Sequence, residues 1–134
     1  MDAETEERGI VLYDRDDFVS LHAAGRLAAA TLDMLTPHVR SGVTTAELNE
    51  IVHDYTIQNG GVPAPLNYRG YPKSCCISIN HVVCHGIPGD RKLLDGDIVN
   101  IDVTTILDGW YGDTSRMFCV GDVPKQAQLL VDAT

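Results

Sequence analysis

Basic residues are scarce in this sequence. The 134 residues include 10 Lys and Arg against 19 Asp and Glu, and the formal net charge is −9 at pH 7. A surface that binds nucleic acid needs basic side chains to neutralise phosphates, so the composition argues against direct nucleic-acid binding. Seven of the acidic residues lie within residues 1–17, where the charge favours a solvated, partly frayed N-terminal segment.

Long apolar runs and paired cysteine motifs are also missing. No run of apolar residues is long enough to span a membrane, and the acidic start has none of the features of a signal peptide. We therefore expect no membrane association. The four cysteines have neither Cys-x-x-Cys nor zinc-finger spacing, so reduced thiols in a cytoplasmic protein are the expectation.

Two amphipathic helices are predicted in the first half of the chain. Asp14 is a candidate N-cap for the first helix, which ends near Pro37. Thr44 and Glu47 form a capping-box pattern that starts a second helix, and this helix stops at Asn59. The apolar stripe of the first helix consists of Phe18, Leu21, Gly25, Ala28, Leu32 and Leu35.

The second half of the chain has mainly strand-like periodicity. Residues 61–74 are rich in proline and glycine and are predicted to be irregular, whereas residues 76–79 and 82–84 are predicted strands. A last helix is predicted from Lys125 to Thr134, with Asp122-Val123-Pro124 as its start signal. We expect residues 1–134 to form one partial domain of the α+β class, truncated within this helix near residues 124–134.

Residues 97–118 predict a β-hairpin. Asp108-Gly109 separates two runs of β-branched and aromatic residues, and glycine accepts the positive φ that a tight turn requires. If these two residues form the loop, Thr104 lies opposite Asp113. Because side chains alternate between the faces of a strand, Asp102 shares one face with Thr104 and Asp113.

This register makes Asp102 and Asp113 diagonal neighbours, with Cα atoms about 7–8 Å apart. Two carboxylates so placed repel each other unless a proton or a cation lies between them. Their oxygen ligands suit divalent cations such as Mn²⁺, Fe²⁺ or Zn²⁺. Spacing alone leaves two interpretations open, half of a metal site or polar residues on an exposed sheet face.

Three further side chains are candidates by position. His85 follows a predicted strand and precedes a turn, and loops at strand ends often carry catalytic groups, although an isolated histidine is more often a solvated residue. Tyr68 and Tyr71 flank Gly70 in the irregular region, where spacing alone makes them surface or packing aromatics.

Four motifs resemble the type I methionine aminopeptidases of peptidase family M24, in their bacterial form. They are Tyr68-Arg69-Gly70-Tyr71-Pro72-Lys73-Ser74-Cys75-Cys76-Ile77-Ser78-Ile79-Asn80, Val83-Cys84-His85-Gly86-Ile87-Pro88, Gly96-Asp97-Ile98-Val99-Asn100-Ile101-Asp102-Val103-Thr104 and Gly112-Asp113-Thr114-Ser115. The likeness runs from the first helix to the end of the chain and corresponds to the N-terminal half of the family's catalytic domain. It implies the N-terminal half of the pita-bread fold, with helices packed on an antiparallel sheet.

The resemblance also implies roles for six residues. Asp102 and Asp113 match metal ligands, and Asp113 matches the one that bridges two ions. His85 matches the histidine that contacts the substrate and helps to stabilise the tetrahedral intermediate. The walls of the pocket for the methionine side chain are matched by Tyr68, Tyr71 and Cys76.

The implied reaction removes the initiator methionine from a nascent polypeptide when the second residue is small. Two divalent ions (Co, Mn, Fe or Zn) would activate water and polarise the scissile carbonyl. The implied partners are nascent polypeptide N-termini at the ribosome, and the implied full-length protein is a cytoplasmic monomer.

One departure from the family pattern is large. The family places three more ligands, one His and two Glu, in a second half, whereas this chain has no His after His85 and no Glu after Glu50. The alternative is therefore a catalytically inactive fragment, or a non-catalytic module of the same fold that binds peptides or proteins.

Overall fold

The computed structural model describes residues 9–134, which form three α-helices, two short 3-10 helices (Thr36–His38 and Tyr68–Gly70) and four strands. Helix α1 spans Arg15–Leu35, α2 spans Thr45–Gln58 and α3 spans Lys125–Ala133. The strands are β1 (Val62–Pro63), β2 (Cys76–Ile79), β3 (Ile98–Leu107) and β4 (Trp110–Cys119). None of the helices within residues 9–134 has the length and hydrophobicity needed to cross a lipid bilayer. Part of the predicted solvated N-terminal segment, residues 1–8, lies outside the described residues.

All four strands belong to one antiparallel sheet in which β3 is central. Strand β4 pairs along the whole of β3 on one edge, and β1 and β2 share the other edge. Leu107 lies opposite Trp110, which confirms the predicted two-residue loop. Asp108 (φ 50°) and Gly109 (φ 85°) are both left-handed, as a tight hairpin turn of this kind requires.

The two faces of β3 have different environments. Val99, Ile101 and Val103 are buried, whereas the alternating residues Asp102 and Thr104 are partly exposed. The predicted packing of the first two helices on the sheet is confirmed, and it leaves the polar face of β3 available for a site. The core consists of Ala28, Leu32, Leu35, Leu48, Val52, Cys75, Ile77, Leu93, Val99, Ile101, Val103, Phe118 and Val120.

Both predicted N-caps are confirmed. The Asp14 carboxylate accepts hydrogen bonds from two backbone N–H groups of the first turn of α1, and Thr44 and Glu47 form the capping box of α2. The predicted apolar stripe of α1 is wrong at its start. Phe18 is 56% exposed and the buried residues of α1 begin at Ala24, so the first two turns of the helix extend past the core.

Two strand predictions need correction. Residues 82–84 form a loop rather than a strand, and Val83 is 93% exposed. Asn80 turns the chain directly after β2 with a left-handed φ of 53°, which directs residues 82–84 away from the sheet. Conversely, β1 lies within the segment predicted to be irregular, where Pro63 is tolerated because the strand lies on the sheet edge.

A buried carboxylate joins the end of β2 to the start of β3. Asp97 accepts hydrogen bonds from the Leu94 N–H (2.9 Å), from Asn80 Nδ2 (2.9 Å) and from Arg91 Nη2 (3.1 Å). Burial opposes the ionisation of Asp97, but these donors together outweigh burial and hold its pKa below the ordinary value. Asn80 also accepts a hydrogen bond from the Ile98 N–H (3.1 Å), so the carboxylate lies at the centre of a network.

The variant Asp97→Asn is expected to lower the free energy of unfolding at pH 7 by about 1–3 kcal/mol, because it removes the charge of a buried carboxylate that accepts several hydrogen bonds. A lowered folded-state pKa contributes stability above the unfolded-state pKa of about 4, and this stability is lost as the pH falls through the folded-state pKa. The difference from the wild type should therefore be largest at pH 7 and shrink below pH 4. Urea denaturation across this pH range measures it.

The matched control is Asp33→Asn. Asp33 pairs with Arg116 at 2.8 Å on an exposed surface, so its replacement is expected to cost less than about 1 kcal/mol. Equal losses for the two variants at pH 7, or a loss for Asp97→Asn that does not change with pH, would contradict this account of Asp97.

Candidate metal and peptide site

An open cleft of about 860 Å³ lies over the polar face of the hairpin. Its walls come from the loop before β2, from β2 itself, from the loop after β2 and from strands β3 and β4. The volume is within the range of clefts that bind small ligands. The cleft brings together all six residues selected from the sequence, namely Tyr68, Tyr71, Cys76, His85, Asp102 and Asp113.

The two aspartates occupy the predicted register. Asp113 lies opposite Thr104, and Asp102 lies opposite Ser115, so both carboxylates are on the cleft side of the hairpin. Burial raises the pKa of Asp102, and the nearby Asp113 carboxyl raises it further through repulsion and a shared hydrogen bond, whereas His85 lowers it. A pair of carboxyl groups that resists full ionisation is a pair that a bound cation would stabilise.

The donors in the cleft fit part of a divalent-cation site. Carboxylate oxygens are hard ligands, and Asp102 and Asp113 offer them from one rigid hairpin. Within residues 9–134, no group of three or more His, Cys, Asp or Glu side chains is arranged to hold a metal ion. The described residues therefore offer two carboxylates to a cation, and the remaining ligands of such a site would come from elsewhere.

A strained backbone positions His85 at the cleft. Its φ is 56°, an uncommon value for a residue other than glycine. The neighbouring Gly86 packs so closely on β2 that a β-carbon there would lie 2.1 Å from the Ile77 carbonyl oxygen. The Ile77 N–H donates to the Gly86 carbonyl (2.9 Å), and the Gly86 N–H donates to Ser78 Oγ (3.1 Å). These contacts fix the loop against β2 and hold His85 in place.

Tyr71 and Cys76 form an uncharged wall of the cleft. The Tyr71 hydroxyl donates to the Cys75 carbonyl (2.9 Å) and to the Gly86 carbonyl (3.2 Å). Burial is the main cause that raises the pKa of Tyr71, and burial also raises the pKa of Cys76 although a hydrogen bond with Tyr71 opposes it. Both groups are neutral at pH 7, so this wall suits an apolar or thioether side chain.

The cleft includes residues that were not selected from the sequence. Tyr111 shares a strand face with Asp113, and the alternation of side chains along β4 was a signal that pointed to it. Arg69 and Ile87 also line the cleft, but they carried no chemical signal of their own beyond their place in the motifs. The geometry places the six selected residues together, and their individual roles stay predictions.

Comparisons with known proteins agree on one family. Residues 20–134 match the metallopeptidase family M24. The chain belongs to family M24. Family M24 consists of metallopeptidases, which implies divalent metal cofactors for the family.

Two curated relatives within M24 are methionine aminopeptidases. The one from Rickettsia prowazekii is 58% identical over 125 residues, which is 93% of this chain and 48% of the relative. The one from Escherichia coli (strain K12) is 60% identical over 108 residues, which is 79% of this chain and 41% of the relative. The chain therefore spans about half the length of the curated relatives it matches, and their names support aminopeptidase function in this part of the M24 family.

Solved structures confirm the fold. The crystal structure of methionine aminopeptidase from Rickettsia prowazekii matches with a TM-score of 0.92 over 93% of this chain and 50% of that chain. An Xaa-Pro dipeptidase from Bacillus anthracis, only 16% identical, matches with a TM-score of 0.79 over 96% of this chain and 35% of that chain, and shows a shared fold alone. The M24 chain has the predicted pita-bread arrangement as a partial domain.

Proposed function

We propose that this chain is part of a metal-dependent aminopeptidase that removes an N-terminal methionine when the second residue is small. The observation that carries the proposal is the meeting of Asp102, Asp113 and His85 with an uncharged wall in one cleft of an M24 chain. Because the chain spans about half of its relatives, the activity is proposed for a completed protein. The completed protein is defined here as this chain joined to the half of the Rickettsia prowazekii methionine aminopeptidase that it does not match.

The side chains of the cleft would have different roles in binding the metal ions and the peptide. Asp102 and Asp113 would help to hold two divalent ions (Co, Mn, Fe or Zn), which supply Lewis-acid polarisation of the peptide carbonyl and an activated water when bound. His85, which lines the same cleft, would donate a hydrogen bond to the carbonyl oxygen as negative charge develops on it. Tyr71 and Cys76 would receive the methionine side chain.

Nascent polypeptide N-termini near the ribosome, in the cytoplasm, are the proposed substrates of a monomeric protein. The support for this proposal is the resemblance of the motifs to bacterial type I enzymes. The net charge of −9 fits contact with the nascent chain rather than with nucleic acid. Tyr68, which lines the same cleft and is 63% exposed, would complete the wall of the methionine pocket with Tyr71 and Cys76.

The 134-residue chain alone is expected to release no methionine from a Met-Gly peptide with Mn²⁺ or Co²⁺, whereas the completed protein should release it. Two carboxylates leave most coordination positions to water, and the cleft of the described chain contains no Glu that could act as a general base. Liquid chromatography measures the amount of methionine that each of the two proteins releases under the same conditions.

The control is His85→Ala in the completed protein, for which a loss of about 100-fold in kcat is expected from the missing hydrogen-bond donor. Release by the chain alone would contradict the assignment of missing ligands. A completed protein that binds Met-Gly peptides without cleaving them would overturn the proposed activity in favour of a non-catalytic binding module.

A further inference from the structure

One strong cation on the cleft has no part in the proposed chemistry. Arg69 lines the cleft and is the single Lys or Arg among the residues that do so. Within residues 9–134 the two Arg-carboxylate ion pairs are Arg91–Asp97 and Arg116–Asp33, and neither involves Arg69. In a chain with a net charge of −9, an arginine on the cleft without a carboxylate partner among the described residues is available to bind an anion.

The backbone around Arg69 fixes its position. Arg69 (φ 48°, ψ 36°) lies between Asn67 (φ 65°) and Gly70 (φ 83°), so three of four consecutive residues are left-handed. The turn is closed by the Tyr71 N–H, which donates to the Tyr68 carbonyl (2.9 Å), and by the Asn67 N–H, which donates to the Tyr71 carbonyl (2.8 Å). A left-handed arginine is costly and persists where its surroundings hold it.

The guanidinium is also held by an aromatic ring. Arg69 Cζ lies 5.4 Å from the centroid of the Tyr68 ring, within the range of a cation–π contact. A side chain that is already ordered loses less conformational entropy on binding a ligand. The planar guanidinium matches a carboxylate through two parallel hydrogen bonds, so a carboxylate is the anion that suits Arg69 best in a peptide ligand.

The acidic and basic side chains of the cleft come from different elements. The acidic side is the hairpin with Asp102 and Asp113, which lies where the peptide amine and first carbonyl would bind under the proposed function. Arg69 comes from the loop before β2, and it is exposed like its neighbour Tyr68, whereas Tyr71 and Cys76 are partly buried, so the guanidinium lies on the outer part of the cleft wall. A peptide whose methionine lies against Tyr71 would therefore pass the guanidinium with its downstream residues.

We propose that Arg69 is a specificity-determining residue that selects peptides carrying Asp or Glu downstream of the small second residue. This inference rests on the proposed function and adds a substrate class to it. The group that Arg69 would recognise is a side-chain carboxylate of the peptide. A short peptide also has a carboxylate at its C-terminus, and the experiment distinguishes the two.

The test compares peptides with the completed protein and Mn²⁺. Met-Gly-Glu-Glu-Ser and Met-Gly-Gln-Gln-Ser, both with amidated C-termini, differ only in the two side-chain carboxylates. We expect kcat/KM to be about 5-fold higher for the Glu peptide, mainly through KM, and the preference to weaken as salt rises. Arg69→Gln should reduce the preference to less than about 2-fold, and Arg69→Lys should retain part of it because the charge remains while the planar fork is lost.

The matched control is Arg26→Gln. Arg26 is an exposed residue of α1 that does not line the cleft, so this variant removes the same charge and should keep the wild-type preference. A preference that survives Arg69→Gln overturns the proposal. The last comparison uses the Gln peptide with a free C-terminus. If Arg69 raises kcat/KM for that peptide but not for the amidated Glu peptide, Arg69 recognises terminal carboxylates and the proposed selection of side chains is overturned.

A direct measurement of peptide binding tests the role of Arg69 separately from the proposed aminopeptidase activity. Fluorescence anisotropy of the same peptides, labelled at the C-terminal end, measures affinity whether or not methionine is released. Tighter binding of the Glu peptide that depends on Arg69, without turnover of any peptide, would support the role of Arg69 and contradict the aminopeptidase proposal. Turnover together with equal affinities in wild type and Arg69→Gln would support the aminopeptidase proposal and contradict the role of Arg69.

Discussion

The variant Asp113→Asn in the completed protein is expected to bind at most one Mn²⁺ ion and to release methionine at least about 100-fold more slowly. An asparagine keeps the shape of the side chain but replaces an anionic oxygen pair with one neutral oxygen, so it would hold divalent cations less well than the carboxylate of Asp113. Isothermal titration calorimetry gives the number of bound ions, and methionine release gives the rate.

A second measurement tests the same variant without metal. Asp113 is one of the causes of the raised pKa of Asp102, so the pKa of Asp102 should fall in Asp113→Asn, although burial still keeps it raised. Carboxyl titration by NMR measures this change on the metal-free protein.

Asp108→Asn is the matched control for this change. Asp108 lies in the turn of the same hairpin with φ 50°, a conformation that asparagine also accepts, so both Mn²⁺ binding and rate should stay near wild type. An Asp113→Asn protein with unchanged Mn²⁺ stoichiometry and rate, or with an unchanged pKa of Asp102, would contradict the assignment.

The variant Gly112→Ala is expected to lower the free energy of unfolding by about 3 kcal/mol. A β-carbon at Gly112 would lie 2.2 Å from the Ala24 carbonyl oxygen and 2.5 Å from the Gly25 backbone nitrogen. Both are main-chain atoms of α1, so the helix or β4 must shift to relieve the clash, and Asp113 lies next in the strand. Urea denaturation measures the loss.

The matched control comes from the other side of this contact. Gly25 lies in α1, and a β-carbon there would meet no atom within 4 Å other than those of the adjacent helix backbone. Gly25→Ala should therefore leave the stability unchanged or raise it by about 0.5–1 kcal/mol, the usual gain in a helix. A loss below about 1 kcal/mol for Gly112→Ala, or losses of equal size in the two variants, would show that the close approach of α1 and β4 is not a tight constraint.

The hairpin and its two aspartates were predictable because their signal is local. Asp108-Gly109 determines the turn, the turn determines the register, and the alternation of side chains then places Asp102 and Asp113 on one face. The N-cap at Asp14 and the capping box at Thr44 are local in the same sense. No long-range contact had to be known for these predictions.

The remaining features depend on contacts between distant segments. Residues 82–84 have the composition of a strand, but no neighbouring strand pairs with them in the described part of the chain. The place of Arg69 on the cleft depends on a loop that is closed by its own backbone hydrogen bonds, which composition does not reveal. Phe18 matched the helical period but lies beyond the point where α1 meets the core.

The two-residue turn has an evolutionary consequence for the site. An insertion or deletion of one residue within either strand between Asp102 and Asp113, with the two-residue turn kept, would place one of the two carboxylates on the opposite face although neither aspartate had changed. A sequence that retains Asp102 and Asp113 but gains or loses one strand residue between them, with the same turn, would thus no longer have both carboxylates on one face. Natural selection on the two aspartates therefore extends to the length of the segment that joins them.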